Sequence, residues 1–276
     1  MAGPTITQAL QAAAAAGLAR LEAQMLLLHA LGRDTHGRAW LVAHDGDVLP
    51  DQAARRFGDL CRRRADGEPV AYLTGFKEFF GLALQVDARV LDPRADTETL
   101  VEWALELMDG SQAVADLGTG SGAIALALQS RRPEARITAV DASSDALAVA
   151  RANAARLGLP VTFRQGSWLQ GDASHYHLIV SNPPYIAATD PHLAALRHEP
   201  PQALASGPDG LADIREIIRQ APGCLEPGGW LLLEHGHDQA QAVRGLLAAH
   251  GFVQVASRRD LAGIERCSGG QWPEHG

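Results

Sequence analysis

Residues 93–276 predict an α/β fold, a doubly wound and mostly parallel sheet, preceded by a small all-α domain over residues 1–72 and a β-hairpin linker over 73–92. Three observations carry that expectation. The apolar run Ala113–Leu117 is followed by Gly118-Thr119-Gly120-Ser121-Gly122 and then by the helix-forming stretch Ala123–Leu128. A second strand pattern, Arg136–Val140, ends in Asp141. A third, His177–Ser181, runs directly into Asn182-Pro183-Pro184-Tyr185. Strands that alternate with helical patterns predict parallel pairing through crossover helices.

The elements follow in order. Residues 5–66 carry helical patches and no strand signal. Ala9–Leu28 is rich in Ala and Leu at helical spacing, and Ala12–Ala16 is a good helix former. Pro50 opens a further helix that runs to Arg64, with Arg62-Arg63-Arg64 as its solvated end. From Gly67 to Leu91, the glycines Gly75 and Gly81 and the alternation Leu82–Val86 predict a short hairpin. The last strand, Glu265–Ser268, lacks apolar character, and the tail holding Gly269-Gly270-Gln271 reads as unstructured.

Composition narrows the function classes. With 276 residues and 46% hydrophobic content the chain can bury one good core and a smaller second one. No apolar run approaches the roughly 20 residues a membrane span requires, and Met1–Leu10 lacks the features of a secretion signal. Cys61, Cys224 and Cys267 are scattered and form no metal spacing, which fits a reducing cytosol. A formal charge of −8 argues against a broad duplex-binding face. The pairs His175/His177 and His235/His237 lack the further ligands a zinc site draws, so no metal is expected.

The motifs carry the chemistry. Glycines between a strand and a helix allow a tight turn and close ligand approach beside the positive helix end. The spacing Gly-x-Gly-x-Gly differs from the dinucleotide fingerprint, so a pyrophosphate is not the obvious guest. An acid about 20 residues beyond such a turn is placed to bond a ribose diol, and Asp141 stands there. A structural turn followed by a solvated Asp would read the same way. Asn182 offers a side-chain carbonyl, Pro183 stiffens the turn and leaves its own carbonyl available, and Tyr185 offers an aromatic face. Together they suit a clamp for a planar –NH2 group, although Asn-Pro also punctuates ordinary turns. A nucleoside-bearing cofactor without a phosphate cradle, next to an amide clamp, points to S-adenosylmethionine and methyl transfer to nitrogen. In an open α/β sheet such groups converge beyond the carboxyl ends of the strands.

The chain resembles the bacterial protein N5-glutamine methyltransferases that modify class 1 peptide chain release factors. Gly67–Gly75, Pro93–Glu98, Asp116–Gly122, Asn182–Tyr185, Asp190–Leu193, Glu199-Pro200, Leu231–Gly236 and Asp260–Gly263 carry the resemblance over nearly the whole length. It implies a class I methyltransferase sheet and an amino-terminal module that grips a protein partner. It also implies that Gly118, Thr119, Gly120, Ser121 and Gly122 approach the cofactor, that Asp141 takes the ribose hydroxyls and that Trp168 packs near the adenine. Asn182 would stand between cofactor and substrate, and Asn182, Pro183, Pro184 and Tyr185 would hold the acceptor glutamine, with Asn182, Pro183 and Tyr185 acting in catalysis. Ser167 replaces an acid common in the family, and Ala95 replaces a proline. Arg94 and Glu98 would frame the cofactor or pair with each other. Gly269-Gly270-Gln271 has the sequence that release factors present for methylation, so mimicry of substrate is one reading and chance the other. The expectation is a cytoplasmic monomer acting on class 1 release factors, with no membrane and no stable nucleic-acid partner. Alternatives are an N6-adenine or N4-cytosine methyltransferase on nucleic acid, for which no target-recognition insertion is evident, and a non-enzymatic cofactor-binding scaffold.

Overall fold

A computed structural model describes residues 3–274, and the chain divides into two units, Met1–Phe76 and Lys77–Gly276. The first unit is helical. Helix α1 (Ile6–Ala15) begins at Thr5, whose hydroxyl accepts from the Gln8 amide while the Gln8 side chain accepts from Thr5 N, a capping box. Helices α2 (Arg20–Ala30), α3 (Arg38–Ala43), α4 (Asp51–Ala65) and α5 (Val70–Thr74) follow. The helical spacing over Ala9–Leu28 thus resolves into two helices, broken around Gly17. Ile6, Ala13, Leu26, Leu27, Leu28, Phe57 and Leu60 form their shared core. The arginine run is a solvated helix end as expected at Arg62 and Arg63, which stay exposed, while Arg64 is partly buried. Arg62 pairs with Asp59, Arg63 Nε donates to Glu68 Oε2 at 2.7 Å, and Arg64 reaches Glu22 on α2 at 2.9 Å.

The hairpin expected in Gly67–Leu91 occupies only part of that stretch, since Val70–Thr74 is helical. It consists of β1 (Phe76–Phe79) and β2 (Leu82–Gln85), turned by Phe80 and Gly81, both at positive φ as primed two-residue turns require. Then come α6 (Glu98–Leu107), β3 (Ala113–Leu117), α7 (Ala123–Arg131), β4 (Arg136–Asp141), α8 (Ser144–Leu157), β5 (Thr162–Gln165), β6 (Tyr176–Ser181), α9 (Ala212–Gln220), β7 (Leu225–Glu234), α10 (Ala240–Ala249), β8 (Val253–Arg259) and β9 (Glu265–Gln271). Among the described residues β3 to β9 form one sheet in the order β5-β4-β3-β6-β7-β9-β8. Pairing is parallel from β5 through β7, and only β9 runs antiparallel to its neighbours β7 and β8. The chain winds outward from β3 in one direction through β4 and β5, and returns on the other side with β6. The switch point therefore lies between β3 and β6, where such sheets place ligands.

Buried parallel strands need apolar side chains on both faces, and Val114, Ala115, Leu117, Ile179, Val180, Leu231, Leu232 and Leu233 supply them. On one face Ile214, Ile217 and Ile218 of α9 and Val243 and Leu247 of α10 cover Leu117, Val140, Ile179, Leu231 and Leu233.

The tail overturns the expectation of an unstructured end. Gly269-Gly270-Gln271 belongs to β9, an interior strand, and is held in register with Leu232, Leu231 and Trp230. Its residues are small because neighbours press on it. A Cβ at Gly269 would come within 2.4 Å of Leu232 Cδ2 and 2.7 Å of the Leu231 carbonyl, and one at Gly270 within 2.9 Å of Phe252 Cβ. The glycines answer packing, and a tripeptide locked in the sheet is not presented as a substrate mimic.

Candidate active site

Three strand ends meet at the switch point. β3 ends in the turn Gly118–Gly122, β4 in Asp141 and β6 in Asn182. The turn is fastened from below by Asp116, a fully buried residue of β3. Its Oδ2 accepts from the Thr119 hydroxyl at 2.6 Å and from Ala125 N at 3.1 Å. Burial pushes this carboxyl up to about 7, the bonds from Thr119 and Ala125 oppose the rise, and the Asp141 charge adds to it. Asn153 of α8, also fully buried, donates to the Ser121 carbonyl at 3.0 Å and ties the same turn to Gln85 of β2. Thr119, Ser121 and Gly122 thus form the back of the turn, whereas Gly118 and Gly120 face a cleft of about 260 Å³.

That cleft is also lined by Asp141, Ser143, Ser167, Trp168, Asn182 and Pro184. Asp141 has two tasks within the protein: Oδ2 accepts from Gly120 N and Oδ1 from Ser143 N, each at 2.9 Å, so it shapes the rim while facing the cavity. Each carboxylate oxygen retains lone pairs for a ligand hydroxyl. Trp168 holds φ at 53°, an uncommon backbone state for a bulky residue, and the kind of strain that clusters at ligand sites. Its ring lies against Gly118, where a Cβ would meet Cζ3 at 3.1 Å. A glycine-floored slot with an acid on its rim and an indole on its wall fits a nucleoside joined to a small zwitterion.

A second, smaller cavity of about 90 Å³ shares Leu91, Asn182 and Ala203 with the first and is lined by Arg94, Tyr185, Ile186, Leu196 and Leu204. Asn182 therefore stands at the junction. Its Nδ2 donates to the Thr97 hydroxyl at 3.2 Å, which leaves Oδ1 as the end of the amide available to a donor. Pro183 is buried behind it. The Tyr185 hydroxyl donates to Glu234 Oε1 at 3.4 Å. Burial, together with the Glu234 charge, raises the phenol pKa well above its usual value. Arg94 does not pair with Glu98. It pairs with Glu199, a buried acid, and lies 3.6 Å from Asp92, while Glu98 Oε1 accepts from Phe80 N.

Sequence reasoning missed Thr97, Asn153, Glu199 and Glu234 as parts of this site. Glu234 carried a signal that went unused: an acid closing the apolar run of a parallel strand, as Asp141 closes β4. Among the described residues no cluster of three or more His, Cys, Asp or Glu could hold a metal ion. His235 is buried and hydrogen-bonded to Ser268 at 2.8 Å.

Residues 96–259 match the methyltransferase small domain, and residues 5–75 match the PrmC N-terminal domain. A release factor glutamine methyltransferase from Xylella fastidiosa is 50% identical over 96% of this chain and 98% of its own length. One from Bordetella pertussis is 52% identical over 92% and 95%. Among solved structures, a methyltransferase from Pyrococcus furiosus superposes with a TM-score of 0.55 at 17% identity, covering 78% of this chain and 99% of that one, which speaks for the fold. On these matches the chain belongs to the release factor glutamine methyltransferase family.

Proposed function

We propose that this enzyme transfers a methyl group from S-adenosylmethionine to the side-chain amide nitrogen of the glutamine in the Gly-Gly-Gln motif of class 1 peptide chain release factors. The observation that carries the reading is the place of Asn182, on the wall shared by two adjoining cavities. The larger suits the cofactor: Gly118 and Gly120 beside its amino-acid end, Asp141 at the ribose and Trp168 at the adenine. When bound, the cofactor supplies an electrophilic methyl group on sulfur. The smaller cavity is narrow and takes a carboxamide arm more readily than a flipped nucleobase, which needs a roomier pocket. The unpaired cysteines Cys61, Cys224 and Cys267 suit the reducing compartment in which translation factors work.

A glutamine amide nitrogen is a poor nucleophile because its lone pair is delocalised into the carbonyl. The chain's part is therefore to orient it. Asn182 Oδ1 and the Pro183 carbonyl accept the two N–H groups of the acceptor and fix its plane, while Tyr185 walls its aliphatic stem; Pro184, expected on the substrate, lines the larger cleft instead. The same two oxygens stabilise positive charge as it develops on nitrogen. Alignment of this kind contributes on the order of 7–11 kcal/mol in favourable systems, and preorganised dipoles add to it. No side chain need act as a strong base, since methylation itself acidifies the nitrogen and the proton can leave to water.

The test is direct: pure protein with labelled S-adenosylmethionine and either a release factor or DNA. Label on the release factor that disappears when its Gly-Gly-Gln glutamine is replaced is the expected result. Label on DNA alone would overturn the reading.

A further inference from the structure

The clamp serves only one end of the acceptor amide. Asn182 Oδ1 and the Pro183 carbonyl take its two N–H groups, and the carbonyl oxygen at the other end still needs a donor. A carbonyl shut into a cavity of about 90 Å³ without one is costly. Among the described residues, three side chains lining that cavity carry N–H or O–H donors: Arg94, Asn182 and Tyr185. Two of them are turned elsewhere. Asn182 Nδ2 donates to the Thr97 hydroxyl at 3.2 Å, and the Tyr185 hydroxyl donates to Glu234 Oε1 at 3.4 Å. Arg94 remains.

Arg94 is held in place by two buried acids. Its Nη2 donates to Glu199 Oε1, and its Nη1 lies 3.6 Å from Asp92 Oδ2. Glu199 is 4% exposed and Asp92 7%, and Glu199 Oε2 also accepts from Asp92 N at 3.2 Å. Lys77 Nζ lies 3.5 Å from the other Asp92 oxygen. Buried carboxylates need paired cations, so the pairing fixes the guanidinium as firmly as it neutralises the acids. A guanidinium carries five N–H donors in a planar fork, more than these contacts use. The Arg94 side chain stays 37% exposed while it lines the cavity.

We propose that Arg94 is a specificity-determining residue that donates to the side-chain carbonyl of the acceptor glutamine, and that Glu199 and Asp92 position it. This rests on the reading of Asn182 as the clamp. Two acceptors at one end and a donor at the other tell the ends of a carboxamide apart. In the productive orientation every polar group of the amide is satisfied, with nitrogen toward the larger cavity. Reversed, its carbonyl would face two oxygens and its –NH2 a guanidinium. A primary amine would bring a second cation beside Arg94 and no carbonyl. A cation at the carbonyl draws electron density from nitrogen, so Arg94 serves binding and orientation, not activation.

The experiment is a double-mutant cycle read as affinity. A release factor with its Gly-Gly-Gln motif, and the same factor with that glutamine replaced by alanine, are each titrated onto the enzyme saturated with S-adenosylhomocysteine. Arg94→Met, of similar length without donors, should weaken binding of the glutamine form by roughly 10–100-fold and of the alanine form by less than about twofold. Cofactor affinity should not change, because Arg94 lies outside the lining of the larger cavity. Arg94→Lys keeps a charge for Glu199 and carries the same test should the methionine variant fail to fold. Its point charge replaces the planar fork, so the glutamine form should again lose more than the alanine form. Equal losses for the two release factors overturn the inference and leave Arg94 a structural partner of Glu199. Asn182→Ala in the same cycle separates the two readings. If its loss depends on the glutamine and that of Arg94→Met does not, the role of Arg94 alone fails; if neither depends on it, the clamp fails too.

Discussion

The two cavities that meet at Asn182 are built from different materials. The larger takes its polar atoms from the backbone of a glycine turn and from Asp141, and the turn is fastened from below by Asp116 and Asn153. The smaller draws more of its lining from side chains. Its shape depends on side chains brought from four distant segments: Arg94 and Thr97, Asn182 and Tyr185, Glu199, and Glu234. Each cavity has one buried acid beneath it, pushed up to about 7. Asp116 fastens a loop, whereas Glu234 accepts from the Tyr185 hydroxyl. A site built mainly from backbone tolerates loss of one side chain better than one built mainly from side chains.

The largest expected effect is at the junction. Asn182→Ala removes the acceptor from the smaller cavity and leaves the glycine turn and Asp141 in place. Methylation should fall by roughly 10²–10³-fold, the cost of losing a preorganised polar contact, while cofactor affinity measured by titration largely survives. Cofactor binding lost in parallel with rate would erase the distinction between the two cavities.

Next comes the acid under the larger cavity. Asp116 has its folded pKa raised by burial, so its contribution to stability is fully present below the unfolded value and lost as pH rises through about 7. Asp116→Asn keeps an oxygen for Thr119 and Ala125 but carries no charge. Relative to the variant, the wild type should lose about 2–4 kcal/mol of unfolding free energy between roughly pH 4 and 8. Denaturant melts of both proteins without cofactor measure the difference. Parallel curves would mean that Asp116 is ionised throughout and its burial has been misjudged.

Asp141→Ala should weaken cofactor binding by about 1.5–3 kcal/mol, the range for hydrogen bonds to a charged group, and leave the acceptor side untouched. A titration with unchanged affinity would remove Asp141 from the ribose and leave it only the role of tying Gly120 and Ser143.

The contrast also explains what was legible in the sequence. Backbone sites announce themselves through glycine spacing and strand-end acids, so Gly118, Gly120, Asp141 and Asn182 were expected at one crevice, and they line the same cleft. Thr119, Ser121 and Gly122 belong to the same motif but face away from the cavity, which spacing cannot tell. Thr97 and Glu234 lay within segments that resembled known relatives, yet the bonds from Asn182 to Thr97 and from Tyr185 to Glu234 join far-apart stretches of chain and exist only after folding. β9 was misread for a related reason: its glycines are set by Leu232, Trp103 and Phe252 pressing from neighbouring elements, and composition alone made them look like a loose tail.

The smallest effect expected tests the wall of the larger cavity. Gly118 is needed twice, for its φ of 71° and for the Trp168 ring that lies where a Cβ would be. Gly118→Ala should cost about 1 kcal/mol from the left-handed backbone alone. The ring adds a second cost: at 3.1 Å from Cζ3 it must give by a few tenths of an ångström, and it is already strained at φ 53°. The two costs separate in a cycle with Trp168→Ala. If the ring matters, Gly118→Ala should weaken cofactor binding severalfold in the wild-type background and by less once the indole is gone, because neighbouring substitutions fail to add. Equal losses in both backgrounds would assign the whole effect to backbone strain and free Trp168 from any part in shaping the slot.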